Sequence, residues 1–322
     1  MHQSSQLSHE DVTAAAERIR GRVRPVAVTP LDSGVVPGPE AAEVWLGLEF
    51  LQHTGSFKAR GALNFLLAHS EAGPLPDSGV AIASGGNAGL ACAWAARSLG
   101  VRSTVFLPAS APPVKIARLA GYGADVRLVE GEYADAAEAC AEFAGRSGAL
   151  RSHAYDDPHV AAGAGTLLEE LRAAIPGLDT VVVAVGGGGL FSGVATAARH
   201  HGMRTVAVEP EGSRALNAAM EAGRPVDVAV DSIAADALGA RRVSETAVRV
   251  ARDAGAVSVV VPDRGIAEAR RVLWEEYRVV TEMSGAAALA GWGEFGVGVG
   301  ERVAVVLCGA NTNPSDLATP TS

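Results

Sequence analysis

The chain of 322 residues is 48% hydrophobic and 20% charged, which suits one large globular domain or two of moderate size with buried cores. Its net charge of −9 excludes a general nucleic-acid binder, because no basic excess exists to release phosphate counterions. Three cysteines, Cys92, Cys140 and Cys308, cannot pair evenly and show no metal-ligand spacing, so a reducing, cytoplasmic setting is expected.

In chain order, Met1 to Gln6 lacks the basic start and apolar stretch of a secretory signal. No uninterrupted apolar run reaches the roughly 20 residues that span a bilayer, so no membrane partner is expected. Strands are predicted at Val44 to Phe50, Val80 to Ala83, Thr104 to Leu107, Val126 to Val129, Thr180 to Val185, Thr205 to Val208, Val257 to Val261 and Val303 to Leu307. Most are nearly continuous in Val, Leu, Ile and Ala, as strands covered on both faces are. Between them, Ala59, Ala62, Leu63, Leu66 and Leu67 fall on one helical face, as do Ala91, Trp94, Ala95 and Leu99. This alternation predicts an α/β protein with parallel sheets. The turn-rich Glu71 to Gly79 marks a crossing between lobes, and a second crossing falls near Ser152 to Pro158. The expected organisation is a discontinuous larger domain, 1–74 with 156–322, and a smaller domain, 75–155.

Four runs at strand ends carry chemistry. Lys58 follows the turn Thr54-Gly55 beside Phe57 and opens a predicted helix, where its charge opposes the helix dipole. A lysine desolvated there loses affinity for its proton and becomes an amine able to form an imine; a solvated helix-start lysine is the plainer reading. Ser84-Gly85-Gly86-Asn87-Ala88 follows a strand and precedes a helix, suiting an anion with its free N–H groups, or simply capping the helix. Gly186-Gly187-Gly188-Gly189-Leu190 follows a buried strand and can wrap a phosphate with backbone N–H groups. It fits neither a dinucleotide fingerprint nor a P-loop, because Phe191 or Ser192 replaces the last glycine and no Gly-Lys-Ser/Thr follows. In the fourth run, Leu307 to Asn313, Cys308 has no local base and is disfavoured as a nucleophile.

Taken together, these runs resemble the fold-type II pyridoxal-phosphate enzymes, in particular the serine/threonine dehydratase and serine racemase branch. The similarity extends from Arg24-Pro25-Val26-Ala27-Val28-Thr29-Pro30-Leu31 through Cys308. It implies two parallel-sheet α/β domains, similar to the tryptophan synthase β subunit, with the active site in the cleft between them. By this resemblance Lys58 carries pyridoxal 5′-phosphate as a Schiff base and later moves the α-proton, and Phe57 lies against the pyridine ring. Gly186, Gly187, Gly188, Gly189 and Leu190 cradle the phosphate. Asn87 bonds the cofactor's 3′-oxygen, and Ser84, Gly85, Gly86 and Ala88 hold the substrate carboxylate. Glu282 matches a family glutamate near the cofactor, although a helix-start carboxylate is an equally good reading. Cys308 faces the pyridine nitrogen; a thiol is a poor acid, so elimination of a β-substituent is favoured over transamination. The implied activity is dehydration and deamination of a β-hydroxy amino acid such as L-threonine or L-serine, with the cofactor phosphate as acid to the leaving hydroxyl. A homodimer is the family habit.

Several positions depart from the family. Racemases of this branch carry a serine where this chain has Gly85, so racemisation is expected to be weak. Cysteine-synthase-like β-replacement enzymes carry Thr where this chain has Ala88. Glu209 fits one ligand of the family's divalent site, but Ala215 stands where an Asp is needed, so no metal is expected. Ala237 replaces a usual glycine. His53 is read as a surface or capping residue with substrate contact as the alternative, and His200 and His201 as a helix end; none has metal-ligand spacing. A non-catalytic α/β protein binding another phosphate ligand is the remote alternative.

Overall fold

The Val-rich runs pair into two sheets in this computed structural model, which describes residues 6–36, 38 and 42–317. Residues 1–5, where the signal-peptide reading falls, lie outside the described residues. The strands are β1 (Val28–Pro30), β2 (Glu43–Gly47), β3 (Val80–Ala83), β4 (Ser103–Pro108), β5 (Asp125–Val129), β6 (Leu150–Arg151), β7 (Thr180–Ala184), β8 (Arg204–Pro210), β9 (Val257–Val261) and β10 (Arg302–Val306). The helices are α1 (His9–Ile19), α2 (Lys58–Ala72), α3 (Asn87–Ser98), α4 (Pro113–Gly121), α5 (Tyr133–Ser147) and α6 (Pro158–Ala174). They continue with α7 (Gly189–His200), α8 (Ala215–Ala222), α9 (Ala235–Leu238), α10 (Glu245–Asp253), α11 (Asp263–Tyr277) and α12 (Met283–Ala290).

The larger sheet runs β1-β2-β10-β7-β8-β9, parallel except where β1 meets β2, and the smaller runs β5-β4-β3-β6, parallel throughout. All eight predicted strands are present. The first stops at Gly47 rather than Phe50, because Glu49 to Leu51 turns in a 3-10 helix and Phe50 N–H reaches Leu307 O at 2.9 Å. The additional strands β1 and β6 have three and two residues, too few to register as a periodic pattern.

Burial explains why β7 reads as Thr-Val-Val-Val-Ala without polar alternation. Val181 and Val183 pack with Leu167, Leu171 and Val194 of α6 and α7, while Val182 and Ala184 pack with Leu273 and Ala286 to Leu289 of α11 and α12. Both faces of the sheet are covered, so both sets of alternating side chains are apolar. In the smaller sheet Val80 and Ile82 face α2 and α3, and Ala81 faces Ala136 and Cys140 of α5. The α2 residues Leu63, Phe65 and Leu66 thus belong to the smaller sheet's core, while α2 also packs along α6. All three cysteines are free and buried.

Because β10 is inserted between β2 and β7, the loops leaving β10 and β7 diverge at a topological switch point, the usual place for a ligand crevice in an open α/β sheet.

Candidate active site

Lys58 is positioned by its loop before its own helix begins. Thr54 and Gly55 take left-handed backbone, with φ of 65° and 75°. A Cβ on Gly55 would lie 2.9 Å from Asn311 Oδ1, so the turn needs glycine for room as well as for φ. Ser56 bridges Gly309, Phe57 N–H donates to Cys308 O at 3.0 Å, and Ala310 N–H donates to Gly55 O at 2.9 Å. These bonds strap the lysine loop to the end of β10. Lys58 then opens α2, its Nζ 4.6 Å from the Phe57 ring centre and donating to Ala154 O at 2.8 Å. Burial lowers the Lys58 pKa to about 8, with Cys308 and Glu282 opposing the shift. An appreciable share of the amine is therefore neutral near physiological pH.

Asn87 stands at the start of α3 with both ends of its amide fixed. Its Nδ2 donates to Glu282 Oε1 at 2.8 Å, and its Oδ1 accepts from Asn311 Nδ2 at 2.7 Å. Asn311 Nδ2 also donates to Thr54 O at 2.7 Å, so the network returns to the lysine loop. Glu282 precedes α12 but makes no side-chain bond to cap it. It accepts instead from Asn87, from Ser284 Oγ at 2.5 Å and from Asn311 N–H at 3.1 Å. Burial raises the Glu282 pKa against these bonds. A Cβ on Gly309 would sit 2.4 Å from Glu282 Oε1, so glycine there admits the carboxylate. Next to it, Cys308 Sγ lies 3.5 Å from Ser284 O, and burial pushes its thiol up to about 12.

The loop before Asn87 is tightly folded. Gly86 N–H reaches Ser84 Oγ at 3.4 Å, and a Cβ on Gly89 would meet Ser84 O at 1.9 Å. A Cβ on Gly85 would lie 2.9 Å from Leu107 Cδ2. Across the cleft, Lys115 of α4 pairs with Asp236 at 2.5 Å, and Arg118 of α4 donates to Asn311.

The glycine loop leaves β7 and enters α7 through Gly188, whose φ is 96°. A Cβ on Gly187 would fall 2.2 Å from Tyr155 Cγ, and one on Gly188 2.5 Å from Ala247 Cβ. Among the described residues, no N–H from Gly186 to Leu190 has a protein acceptor, although Gly187 O accepts from Ser244 N–H. A helix N-terminus with free donors and four residues without side chains of their own suits a phosphate group. Tyr155 connects this cradle to the lysine, because its ring lies on Gly187 and its neighbour Ala154 accepts from Lys58.

The fold thus joins Lys58, Phe57, Cys308, Glu282 and Asn87 through direct contacts, with the Gly186 to Leu190 loop reached through Tyr155. Sequence reasoning missed Asn311 and Tyr155. Asn311 lay inside a run already singled out, and Tyr155 inside a segment read only as a crossing. His53 stacks on Trp94 with ring centres 4.6 Å apart, lining a cleft of about 580 Å³ with Arg24, Arg118 and Asn311. Glu209 spends both oxygens on α8, accepting from Leu216 and Asn217 N–H, each at 2.7 Å; burial raises its pKa to about 7.

A buried lysine depressed toward neutrality, a phosphate cradle of bare backbone and two parallel sheets define an enzyme that works through a phosphorylated carbonyl cofactor. The family described as pyridoxal-phosphate dependent enzyme matches residues 24–309, and the chain belongs to it. Its cofactor is pyridoxal 5′-phosphate, and the cradle and lysine described above fit that molecule. The chain is 34% identical to L-threonine ammonia-lyase of Geobacter sulfurreducens over 286 residues, 88% of this chain and 70% of that one. It is 33% identical to phenylserine dehydratase of Ralstonia pickettii over 318 residues, covering 96% and 95% of the two chains. The structure of maize serine racemase superposes with a TM-score of 0.87 at 26% identity, over 97% of this chain and 96% of that one. Among the described residues no helix is long and apolar enough to cross a membrane.

Proposed function

We propose that the protein is an ammonia-lyase that removes water and then ammonia from a β-hydroxy amino acid of the serine and threonine type, giving a 2-oxo acid. The observation that carries this reading is a buried Lys58 whose loop is strapped through Phe57 N–H to Cys308 O at the end of β10. Pyridoxal phosphate, when bound, supplies the sink for the electron pair left at the substrate's Cα. Lys58 would hold the cofactor through its Nζ, and its amine would serve as the base for the substrate's Cα proton. Gly186 to Leu190 bind the phosphate through N–H groups, and Asn87 retains a second Nδ2 hydrogen for the cofactor's ring oxygen. Ser84 to Ala88 orient the substrate carboxylate. Cys308 would offer the cofactor's ring nitrogen no strong acid, which would favour loss of the β-hydroxyl over transamination. The Cα–H and Cβ–O bonds break, water leaves, and the released enamine hydrolyses to 2-oxo acid and ammonia.

Gly85 offers no proton donor to the second face of Cα, so elimination is favoured over racemisation. A serine there would also press on Leu107. The two lobes are taken as 1–74 with 156–322 and as 75–155, in keeping with all four strands of the smaller sheet lying between Val80 and Arg151. A cytoplasmic homodimer is part of the reading, supported by the unpaired cysteines and the family habit, and light scattering tests the dimer.

The decisive experiment incubates the purified enzyme with a panel of β-hydroxy amino acids and quantifies 2-oxo acid. Lys58→Ala is expected to abolish product and the lysine-linked cofactor absorbance. Product formation that survives this substitution defeats the reading, as does thioether in place of pyruvate when serine and a thiol are supplied together.

A further inference from the structure

Away from the cleft, three histidines and a glutamate gather where α1, α6 and α7 meet. His9 Nε2 lies 3.0 Å from Glu169 Oε1, and His201 Nε2 lies 2.9 Å from Oε1 and 3.2 Å from Oε2. One donor atom from each of the three residues falls within 4.8 Å of the others. His200 stacks flat on His9 with ring centres 3.7 Å apart, and His201 meets both rings edge-on. The cluster is half-buried, and a cavity of about 330 Å³ lined by Gln6, Ser8, His9, Thr196 and His200 opens beside it.

The donors of this cluster crowd one imidazole nitrogen. Arg172 Nη1 lies 2.9 Å from His201 Nε2 and 3.2 Å from Glu169 Oε2. A guanidinium only donates, so this approach asks Nε2 for a lone pair. The carboxylate only accepts, so Glu169 asks the same Nε2 for a hydrogen. Whichever state His201 adopts, one close contact sets like against like. A cation that takes the lone pairs of His9, His201 and Glu169 together removes the conflict. Tetrahedral bonds of about 2.1 Å place donor atoms roughly 3.4 Å apart, so each histidine needs to move from Glu169 by only about half an ångström, with the two histidine nitrogens starting within 4.8 Å of each other. The Arg172 side chain is 36% exposed, which leaves it free to turn into solvent.

We propose that His9, Glu169 and His201 form a structural site for a divalent transition metal, with Zn(II) as the representative ion and a fourth position left to water or His200. Two imidazoles with one carboxylate suit borderline cations of this kind. The site pins the start of α1 to the far ends of α6 and α7. The glycine loop lies at the opposite end of α7, about 18 Å away for 12 residues, so the metal serves stability rather than the reaction.

The test titrates Zn(II) into metal-free holoenzyme by calorimetry and repeats the thermal melt with and without the ion. One equivalent is expected to bind and to raise the melting temperature. His9→Ala and His201→Ala are each expected to weaken binding on the order of 100-fold and abolish the shift, with elimination activity unchanged. His9→Gln and His201→Gln, which keep a hydrogen-bonding side chain, are expected to lose the metal equally, and Arg172→Ala to bind it as tightly or more so. The absence of a saturable binding step overturns the proposal. So does a step that survives the histidine substitutions, or one weakened by Arg172→Ala.

Discussion

At the scale of single residues, Lys58 ties chemistry to pH most directly. Its folded pKa of about 8 lies below the 10.5 of a free lysine because burial disfavours the ammonium. The unfolded chain therefore binds more protons than the folded one between these values, and stability of the cofactor-free protein rises as pH climbs from about 8 toward 10.5. Below pH 8 the buried charge costs up to about 3 kcal/mol. Lys58→Met is expected to stabilise the cofactor-free protein at pH 7 and to flatten this pH dependence, as urea unfolding at a series of pH values will report. The rate of cofactor uptake should also rise through pH 8 in the wild type, since the neutral amine is the nucleophile. A pH-independent uptake rate contradicts the depressed lysine.

The elements that frame the site are held by close backbone approach. α6 and α7 cross where a Cβ on Gly193 would meet Ala161 O at 2.0 Å and one on Gly165 would meet Gly193 O at 2.7 Å. Backbone atoms of a packed helix cannot yield as a flexible side chain does. Gly193→Val is therefore expected to force the helices apart, displacing the glycine loop at the start of α7 and the Tyr155 segment just before α6. The measurable outcome is a loss of several kcal/mol in urea unfolding, or failure to accumulate soluble protein. Helix starts are set by shorter-range chemistry. Asp157 caps α6 by accepting from His159 and Val160 N–H at 2.8 and 3.0 Å, with Pro158 in the first turn.

For the molecule as a whole, Arg60 is the buried tie among separate segments. Its guanidinium, fully buried, donates to Glu49 from Nε at 2.6 Å and Nη2 at 3.1 Å, and to Glu170 from Nη1 and Nη2, both at 2.7 Å. Thr166 Oγ1 and Arg24 O accept further bonds at 3.2 and 3.3 Å, so all five N–H donors are met. Arg60→Met leaves the Glu49 carboxyl 1% exposed and without its cation, so burial forces it either to keep an unpaired charge or to take up a proton. A cost of about 3–5 kcal/mol is expected, read as a lower urea midpoint at unchanged slope. Replacing Glu49 with Leu in the same protein should recover part of it, because the buried carboxyl left without its partner carries much of the penalty.

The sequence by itself determined the strands buried on both faces, whose apolar runs leave no other local solution, and the four glycine- or asparagine-bearing runs at their ends. Lys58 at the first position of α2 and Gly188 entering α7 were legible for the same reason: turns and helix starts are decided within a few residues. Contacts between distant segments were not legible. Asn311 reads as one polar residue of the run after β10 until the fold sets it between Asn87 and Thr54. Glu282 reads equally as a helix-start carboxylate and as a glutamate near the cofactor until Asn87 and Asn311 draw its carboxylate away from the helix. Glu209 matched one ligand of a divalent site that Ala215 leaves incomplete, and only the fold shows the start of α8 taking both its oxygens. His9, Glu169 and His201 show no spacing at all, and only the packing of α1 against α6 and α7 brings them together. Local backbone preference is written in neighbouring residues; which side chains share a proton, a charge or an ion depends on how the helices pack across the sheets.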